Sequence, residues 1–467
     1  MVKTKKLTVI QAYDGAVIEE IPMQDEADVE ALLAQAHALY RDYDQWLPAH
    51  QRIEVLQKLI ALMQPQSEGL AILIAREGGK PLAAAQVEVA RAIVGVEIAI
   101  KEIDQLKGEN IPMDLTAAGA GHTAYTIKEP IGVVVAVSAF NHPLNLIIHQ
   151  VIPAVAVGCP VIVKPAGRTP LSCLRLVEML HTAMEAVGVP AAWCQVCVCD
   201  RNAAQKLVTD PRVAFMTFIG SARVGWELRR QLAPGTRCSL EHGGVAPVIV
   251  AADADLKITI PALVTGGFYH AGQVCVSVQR VFVDNEIKAE FLKEFSKQVG
   301  ELVVGDPTDI NTVVGPLIRP SEVNRVEQWV NEAIDAGAEC IMGGKRINDH
   351  FYAPTILVDP PHDARVSSQE IFGPVVCVYG YDDVQNAIAL ANALPVAFQA
   401  AVFTKNTDAA MDVVNKLDAA AVMVNDHTAF RVDWMPFAGR RMSGLGTGGI
   451  RYTMDDMTQD KLVVTKP

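Results

Sequence analysis

Cys275, in the segment FYHAGQVCVSVQR, is the side chain best suited to chemistry in this sequence. A thiolate is the strongest nucleophile that a side chain offers near neutral pH. A lone cysteine among nine is nevertheless most often a small, buried apolar residue. The surroundings distinguish Cys275, because small residues precede it and Arg280 closes the segment. Cys275 is therefore our candidate nucleophile.

Two polar side chains elsewhere could assist a nucleophile. Glu241 ends an apolar run and precedes two glycines in LEHGG (240–244), a setting that raises the pKa of a carboxyl group toward working pH. The alternative is a buried structural glutamate. Asn141 in AFNHP (139–143) carries an amide that can donate to an oxyanion. It could instead cap a helix with Pro143 in its first turn.

A strand-to-helix turn with Gly220, Ser221 and Gly225 follows the apolar run AFMTF (214–218). The turn has one glycine fewer than the common GxGxxG pattern. A helix that begins there presents free N–H groups and a positive dipole end to a pyrophosphate. A tight turn without a ligand would give the same pattern, so this signal alone decides nothing.

Seven motifs follow one another along nearly the whole chain. They are AFNHP (139–143), KPAGRTP (164–170), FIGS (218–221), LEHGG (240–244), GQVC (272–275), EIFGPV (370–375) and PFAGRRMSGLG (436–446). Each is weak alone, but their order and spacing together resemble the aldehyde dehydrogenase superfamily. The resemblance implies that Cys275 attacks an aldehyde, that Asn141 stabilises the oxyanion and that Glu241 activates the water that hydrolyses the thioester. Glu241 argues against the CoA-acylating branch, in which this glutamate is usually absent.

The resemblance also implies a site for NAD or NADP. The pyrophosphate would lie at Gly220, Ser221 and Gly225. Lys164 would contact the adenosine ribose, and Glu370 and Phe372 would hold the nicotinamide ribose and ring. Relatives that prefer NAD often carry a glutamate where this chain has Gly167, which is followed by Arg168. Since no carboxylate repels a 2′-phosphate there, we expect NADP to be accepted and to be favoured weakly.

Three basic residues fall where the resemblance places the substrate tunnel: Arg91, His142 and Arg431. An apolar aldehyde would not need them, so they predict a small anionic or hydroxylated aldehyde. The run around Arg431 is similar to members that oxidise phosphonoacetaldehyde, and more distantly to lactaldehyde and non-phosphorylating glyceraldehyde-3-phosphate dehydrogenases. The phosphonoacetaldehyde type has arginine where this chain has Val274, which suggests a less charged substrate. The alternative is that Arg91 and Arg431 pair with local carboxylates such as Glu88 or Asp433.

The elements that must position these residues alternate along the chain. Residues 25–110 have the periodicity of helices, and apolar strand-like runs then alternate with helices, which indicates parallel strands covered on both faces. We predict an α/β protein with two parallel-sheet α/β domains, a Rossmann-like cofactor domain and a catalytic domain, plus a small β oligomerisation ribbon. The predicted bounds are 1–115 and 131–241 for the cofactor domain, 242–425 for the catalytic domain, and 116–130 and 455–467 for the oligomerisation strands. The tail strand would pair with a neighbouring subunit, giving a homodimer or homotetramer.

Composition excludes other classes of protein. The chain has 467 residues and a net charge of −13, which argues against a nucleic-acid partner. Half of its residues are hydrophobic, which excludes disorder. The charge-free stretch 130–163 contains four prolines and several polar residues, so we interpret it as a buried strand and helix and expect no membrane partner. We read no signal peptide and expect a cytoplasmic protein with reduced thiols.

Two other interpretations remain open at this stage. The cysteines of C-x₂-C-x-C (194–199) invite a metal site, but alternate residues of a strand face opposite ways, so we expect core packing and no metal. The chain could also be an inactive structural relative of the superfamily, although a fold alone requires none of the catalytic residues.

Overall fold

The computed structural model describes residues 5–466. Its helices are α1 (Glu26–Arg41), α2 (Ala49–Met63), α3 (Ser67–Gly78), α4 (Leu82–Glu102), α5 (Asn145–Val157), α6 (Leu171–Glu185), α7 (Arg201–Thr209), α8 (Ala222–Arg229), α9 (Leu256–Phe268), α10 (Lys288–Gly300), α11 (Pro320–Asp335), α12 (Arg365–Ser368), α13 (Val384–Asn392), α14 (Thr407–Lys416) and α15 (Ile450–Asp456). Its strands are β1 (Lys6–Ile10), β2 (Val17–Pro22), β3 (Asn110–Ile111), β4 (Thr123–Pro130), β5 (Val133–Val137), β6 (Val161–Lys164), β7 (Cys194–Val196), β8 (Val213–Ile219), β9 (Arg237–Glu241), β10 (Pro247–Val250), β11 (Arg280–Asp284), β12 (Glu339–Met342), β13 (Thr355–Val358), β14 (Val375–Tyr381), β15 (Val396–Ala397), β16 (Gln399–Phe403), β17 (Ala421–Val424), β18 (Arg440–Arg441), β19 (Gly444–Leu445) and β20 (Thr458–Thr465).

The first large sheet has six strands in the order β19-β9-β8-β5-β6-β7. All neighbours are parallel except β19, which pairs antiparallel with β9. Alternate residues of β5 enter different cores. Val134 and Ala136 pack with α2, α4, α5 and α6, whereas Val133 and Val135 pack with α1 and α7. The sheet is therefore covered on both faces, as its apolar strands predict.

The second large sheet has seven strands in the order β12-β13-β14-β11-β10-β16-β17. Only β12 runs antiparallel to its neighbour. Its buried strands share one core with helices that include α9, α10 and α11. The two sheets confirm the predicted α/β class with two parallel-sheet units. The exact domain bounds stay a prediction, and the first sheet also takes in β19 from beyond them.

A third sheet, which we call the ribbon, consists of β20, β4 and β3. In this structure β20 pairs antiparallel with β4 of its own chain from Thr458 to Thr465 and forms the edge of the ribbon. Pairing of its other edge with a neighbouring subunit stays a prediction. A strand needs a partner for its backbone groups, and β4 supplies one without a second chain.

The charge-free stretch folds as predicted into a buried strand, a turn and a buried helix, namely β5 and α5. Pro143 lies before α5, which begins at Asn145, so its predicted place in the first turn is wrong. No helix within residues 5–466 is long and apolar enough to cross a membrane.

Candidate active site

A cavity of about 740 Å³ lies between the two large sheets. Ten of the twelve predicted site residues line it: Arg91, Asn141, His142, Gly220, Ser221, Glu241, Cys275, Glu370, Phe372 and Arg431. Lys164 and Gly225 are not among its lining residues. Residues more than 300 positions apart in sequence thus share one compartment, which is large enough for a nucleotide and a small substrate.

A strained turn presents Cys275 to the cavity. His270 and Ala271 have φ values of 51° and 54°, in the left-handed region that most residues avoid. The buried amide of Gln273 holds the turn, since it donates to the His270 and Pro316 carbonyls at 3.2 and 3.1 Å. The cost of the strained backbone is therefore offset by hydrogen bonds that fix the thiol two residues later.

Burial raises the pKa of the Cys275 thiol, and the neighbouring Glu370 and Glu241 carboxyls raise it further, while Arg431 opposes them. Burial also raises the pKa of Glu370 to about 8, so that carboxyl is mostly uncharged at pH 7. Its repulsion of a thiolate is correspondingly weak at that pH. The protein alone thus keeps Cys275 protonated, and the attacking anion has to form with substrate and cofactor in place.

Glu241 ends β9 and faces the same cavity. Burial raises the pKa of its carboxyl group, and the Arg431 guanidinium opposes that shift. A carboxyl group with a raised pKa can take a proton from water near neutral pH, which a surface glutamate does poorly.

Asn141 does not cap helix α5. The Glu88 carboxylate accepts the Leu144 and Asn145 N–H groups at 2.9 and 3.0 Å, and buried Lys80 pairs with it. The capping alternative for Asn141 is therefore wrong, and so is the suggestion that Glu88 pairs with an arginine. Asn141 is 5% exposed and lines the cavity, so its amide is available to a ligand.

The two predicted substrate arginines differ in their surroundings. Arg91 donates Nε and Nη2 to the Asp433 carboxylate at 3.0 and 2.9 Å, so its charge is already neutralised. Arg431 has no such partner: its Nε is buried without a hydrogen bond, and its Cζ lies 3.5 Å from the centre of the Phe437 ring. Neither arginine thus pairs with a carboxylate near it in the sequence: the partner of Arg91, Asp433, is 342 residues away, and Arg431 has no such pair. His142 stays neutral, since burial lowers its pKa well below the ordinary value.

The other end of the cavity fits a dinucleotide. Gly220 and Ser221 lie between β8 and helix α8, and the Ser221 side chain does not cap the helix. Buried Glu370 Oε1 has no hydrogen-bond partner, which suits a ribose hydroxyl as donor. Phe372, at φ 45°, borders the same space.

The two predicted cofactor residues outside the cavity lie close to it. A Cβ at Gly225 would come within 2.8 Å of His242 Nε2, so this glycine allows close packing beneath the turn. Lys164 ends β6, where its Nζ donates to the Pro165 carbonyl at 3.1 Å. The neighbouring Ala166 lines the cavity, which places the lysine beside its rim.

Sequence reasoning missed several lining residues. Tyr269 lies six residues before Cys275, and His242 follows Glu241, so nearness to the candidate residues could have indicated both. Asn145 and His149 donate to Asp433 at 3.1 and 2.8 Å; no local pattern signals contacts across more than 280 residues. Cys194, Cys197 and Cys199 are buried in the core, and within the described chain no group of three metal-ligating side chains occurs.

Comparisons with known proteins agree with this geometry. The model of the aldehyde dehydrogenase family matches residues 1–463. A 3-sulfolactaldehyde dehydrogenase from Priestia aryabhattai is 36% identical over 98% of this chain and 95% of that protein. The NADP complex of glyceraldehyde-3-phosphate dehydrogenase GapN from Methanocaldococcus jannaschii is 32% identical, with a TM-score of 0.95 over all of both chains. Aldehyde dehydrogenase 21 from Physcomitrella patens, in complex with the reaction product succinate, is 36% identical, with a TM-score of 0.95 over all of this chain and 96% of that one.

These matches confirm the resemblance stated from the motifs. With the partly buried thiol, the Glu241 carboxyl group and the Gly220–Ser221 turn in one cavity, the chain belongs to the aldehyde dehydrogenase family and is an enzyme that oxidises small aldehydes with NAD or NADP.

Proposed function

We propose that Cys275 forms the covalent intermediate and that the product is a free carboxylic acid. The Cys275 sulfur adds to the aldehyde carbon, and the Asn141 amide with the Cys275 backbone N–H donates to the resulting oxyanion. When bound, the oxidised nicotinamide would supply the acceptor for the hydride that the oxyanion carbon loses, which leaves a thioester on Cys275, and a positive charge that favours the thiolate. Glu241 then takes a proton from water, whose oxygen adds to the thioester carbon. The C–S bond breaks, Cys275 leaves as a thiolate, and Glu241 returns its proton to solvent. A hydrogen-bond donor to such an oxyanion typically stabilises the transition state by roughly 3–4 kcal/mol.

We propose that the substrate carries one negative charge. The observation that carries this proposal is the Arg431 guanidinium, whose Nε is buried without a partner, whereas Asp433 neutralises Arg91. A buried, unpaired guanidinium is costly, and a carboxylate or sulfonate on the substrate would supply the missing partner. Of the two predicted substrate arginines only Arg431 is available, and Val274 beside the thiol is apolar, which favours a monoanion over a dianionic phosphate or phosphonate.

The relatives favour the same class of substrate. The 3-sulfolactaldehyde dehydrogenase acts on a hydroxylated sulfonate, and the Physcomitrella enzyme holds succinate, a carboxylate product. We therefore infer a short aldehyde of three or four carbons with a terminal carboxylate or sulfonate, with or without a hydroxyl group. An inactive relative and a CoA-acylating enzyme are the competing functions.

We infer a weak preference for NADP. Gly167 leaves open space where a glutamate would repel a 2′-phosphate, since no atom lies within 4 Å of the position of its absent Cβ. Arg168, the next residue, is a cation that could pair with the 2′-phosphate of NADP. The NADP-bound GapN neighbour agrees with this inference. A kcat/KM at least about tenfold higher for NAD, a difference of roughly 1.4 kcal/mol, would contradict it.

One assay series tests the proposal. NAD(P)H production is measured with succinic semialdehyde, 3-sulfolactaldehyde, lactaldehyde and propanal, with each cofactor and with and without CoA. We expect the anionic aldehydes to have the highest kcat/KM and CoA to have no effect. Arg431→Met should cost at least about 2 kcal/mol, or roughly 30-fold in kcat/KM, for the anions and much less for propanal. Equal losses for both classes would refute the monoanion, and CoA-dependent turnover would refute hydrolysis.

We further infer a homodimer or homotetramer in the cytoplasm. The ribbon exposes Tyr125, Leu462 and Val464, with 44%, 58% and 48% of their surfaces accessible. Apolar side chains grouped on one sheet favour contact with another copy of the chain. All nine cysteines are free, as expected in a reducing compartment.

A further inference from the structure

Two carboxyl groups of the cavity, those of Glu241 and Glu370, each occupy a space that a glycine leaves open. A Cβ placed on Gly448 would overlap Glu241 Oε1 and lie 2.9 Å from Glu241 Cδ. A Cβ placed on Gly243 would overlap Glu370 Oε1 and lie 2.6 Å from Glu370 Oε2. Real Cβ atoms do not come so close to other atoms, so Glu241 would have to move if Gly448 carried a side chain, and Glu370 would have to move if Gly243 did.

Backbone conformation does not explain Gly448. Gly448 is not among the glycines of the described chain that have a left-handed φ, so an alanine there would meet no backbone strain. The residue forms an antiparallel bridge with Phe437, through N–H to carbonyl bonds of 3.0 and 2.7 Å in the two directions. The Phe437 carbonyl oxygen lies 3.0 Å from the Cβ position. We conclude that Gly448 lacks a side chain at a position where the Glu241 carboxyl group needs the space.

We propose that Gly448 is a positioning residue for the general base, and that the niche beside the Phe437–Gly448 bridge sets where the Glu241 carboxyl group rests before thioester hydrolysis. The inference rests on the proposed function, because it assumes that Glu241 activates water. Burial raises the pKa of the Glu241 carboxyl group, and Arg431 opposes that shift from the cavity; the carboxyl group in turn acts on the Cys275 thiol.

The obstructing atoms suggest that an alanine would displace the side chain and leave the fold intact. The overlapping atom is the far end of a flexible glutamate, which can rotate out of the niche, whereas the Phe437 carbonyl oxygen at 3.0 Å has to shift by only a few tenths of an ångström. The carboxyl group would then lie in the cavity, less buried and away from its resting position. A general base contributes roughly 10²–10⁴-fold when positioned, and displacement forfeits part of that factor.

The experiment compares Gly448→Ala with wild type by stopped-flow NADPH formation followed by steady-state turnover on an anionic aldehyde. We expect the burst to stay near one NADPH per subunit and kcat to fall at least about tenfold. We also expect the acidic limb of kcat to move to lower pH, because the carboxyl group loses burial. Gly69→Ala, in helix α3 with open space around it, is the control and should change nothing.

Two further variants separate positioning from damage. In a Glu241→Gln background, which lacks the base, Gly448→Ala should cause no additional loss. Gly243→Ala should instead raise KM for NADP and leave the burst-to-turnover ratio unchanged, since it displaces Glu370. If Gly448→Ala is unstable, Glu241→Ala in the same chain should restore its melting temperature by vacating the niche.

Several results would overturn the inference. They are an unchanged kcat in Gly448→Ala, a burst that falls in parallel with turnover, an additive loss in the Glu241→Gln background, or no recovery of stability with Glu241→Ala. A wild-type enzyme that oxidises no aldehyde would overturn the proposed function itself, which the same traces reveal separately.

Discussion

Cys275 lies among charges that act against one another. Two carboxyl groups, Glu370 and Glu241, oppose its ionisation, while Arg431 favours it. Because burial keeps Glu370 protonated at neutral pH, this uncharged carboxyl group repels the thiolate only weakly. The state of the nucleophile thus depends on protons held by its neighbours, and anything that removes the Glu370 proton should lower reactivity.

Glu241 should control the second half of the reaction and its pH dependence. A base works only when deprotonated, so hydrolysis should fail as the pH decreases through the raised pKa of Glu241, above the range of an ordinary glutamate at about 4.3. Glu241→Gln should give a burst of NAD(P)H followed by little turnover at any pH. Rapid mixing at several pH values checks both; loss of the burst itself would contradict the assignment.

At this scale the sequence identifies residues that lie within motifs and misses partners distant in the chain. Cys275, Glu241 and Asn141 each stand in a short pattern typical of the family, and each lines the cavity. The partner of Arg91 is 342 residues away, and the cap of α5 comes from Glu88 on another helix. Such pairs depend on tertiary packing, which no local pattern encodes.

Helices α4 and α5 are tied to the loop before β18 by a single buried carboxylate. Asp433 accepts hydrogen bonds from Arg91 on α4 and from Asn145 and His149 on α5. Burial alone would raise the pKa of Asp433, but the His149 bond and the Arg91 pair bring it well below its usual range. The loop that carries Arg431 is therefore held against both helices.

Asp433→Asn should destabilise the protein by about 2–3 kcal/mol. Breaking a fully buried ion pair costs roughly 3–5 kcal/mol, and Arg91 keeps 24% of its side chain exposed, which reduces the loss. Because the folded-state pKa is depressed, this stabilisation is present above the ordinary aspartate pKa and is lost as the pH falls below it. Urea unfolding should therefore show a difference at pH 7 that shrinks in acid.

Asp412→Asn is the matched control, because Asp412 pairs with Lys416 on an exposed helix surface. Its unfolding free energy should stay within about 0.5 kcal/mol of the wild type. A loss as large as that of Asp433→Asn would show that the substitution, and not the buried network, is responsible.

The sequence predicts strands well where apolar residues follow one another without interruption. The runs that became β5, β6, β8 and β10 contain few polar residues and lie inside a sheet covered on both faces. Strand β12 is half exposed at the sheet edge, and its residues ECIM lack a distinct pattern, so it was missed. The short hairpin β1–β2 was missed for the same reason, since most of its side chains face solvent.

Assembly of the whole molecule should depend on the ribbon. Leu462→Asp with Val464→Asp places two charges on its exposed apolar face and should shift the sedimentation coefficient toward that of a smaller species. Ile347→Asp, an equally exposed apolar position outside the ribbon, should leave it unchanged. A fully active wild-type monomer at micromolar concentration would refute the proposed oligomer.

The position of strand β19 in the chain affects when the first large sheet can be completed during synthesis. It pairs with β9 and Glu241, yet it follows them by roughly 200 residues in the chain. A ribosome adding about 5–20 residues per second reaches β19 about 10–40 s after β9, so the first large sheet lacks its edge strand for that time. The Gly448 niche arrives in the same late segment. A chain that ends before Gly448 therefore already carries Cys275 but lacks the niche that positions Glu241, so we expect no thioester hydrolysis until the segment through Gly448 has been made.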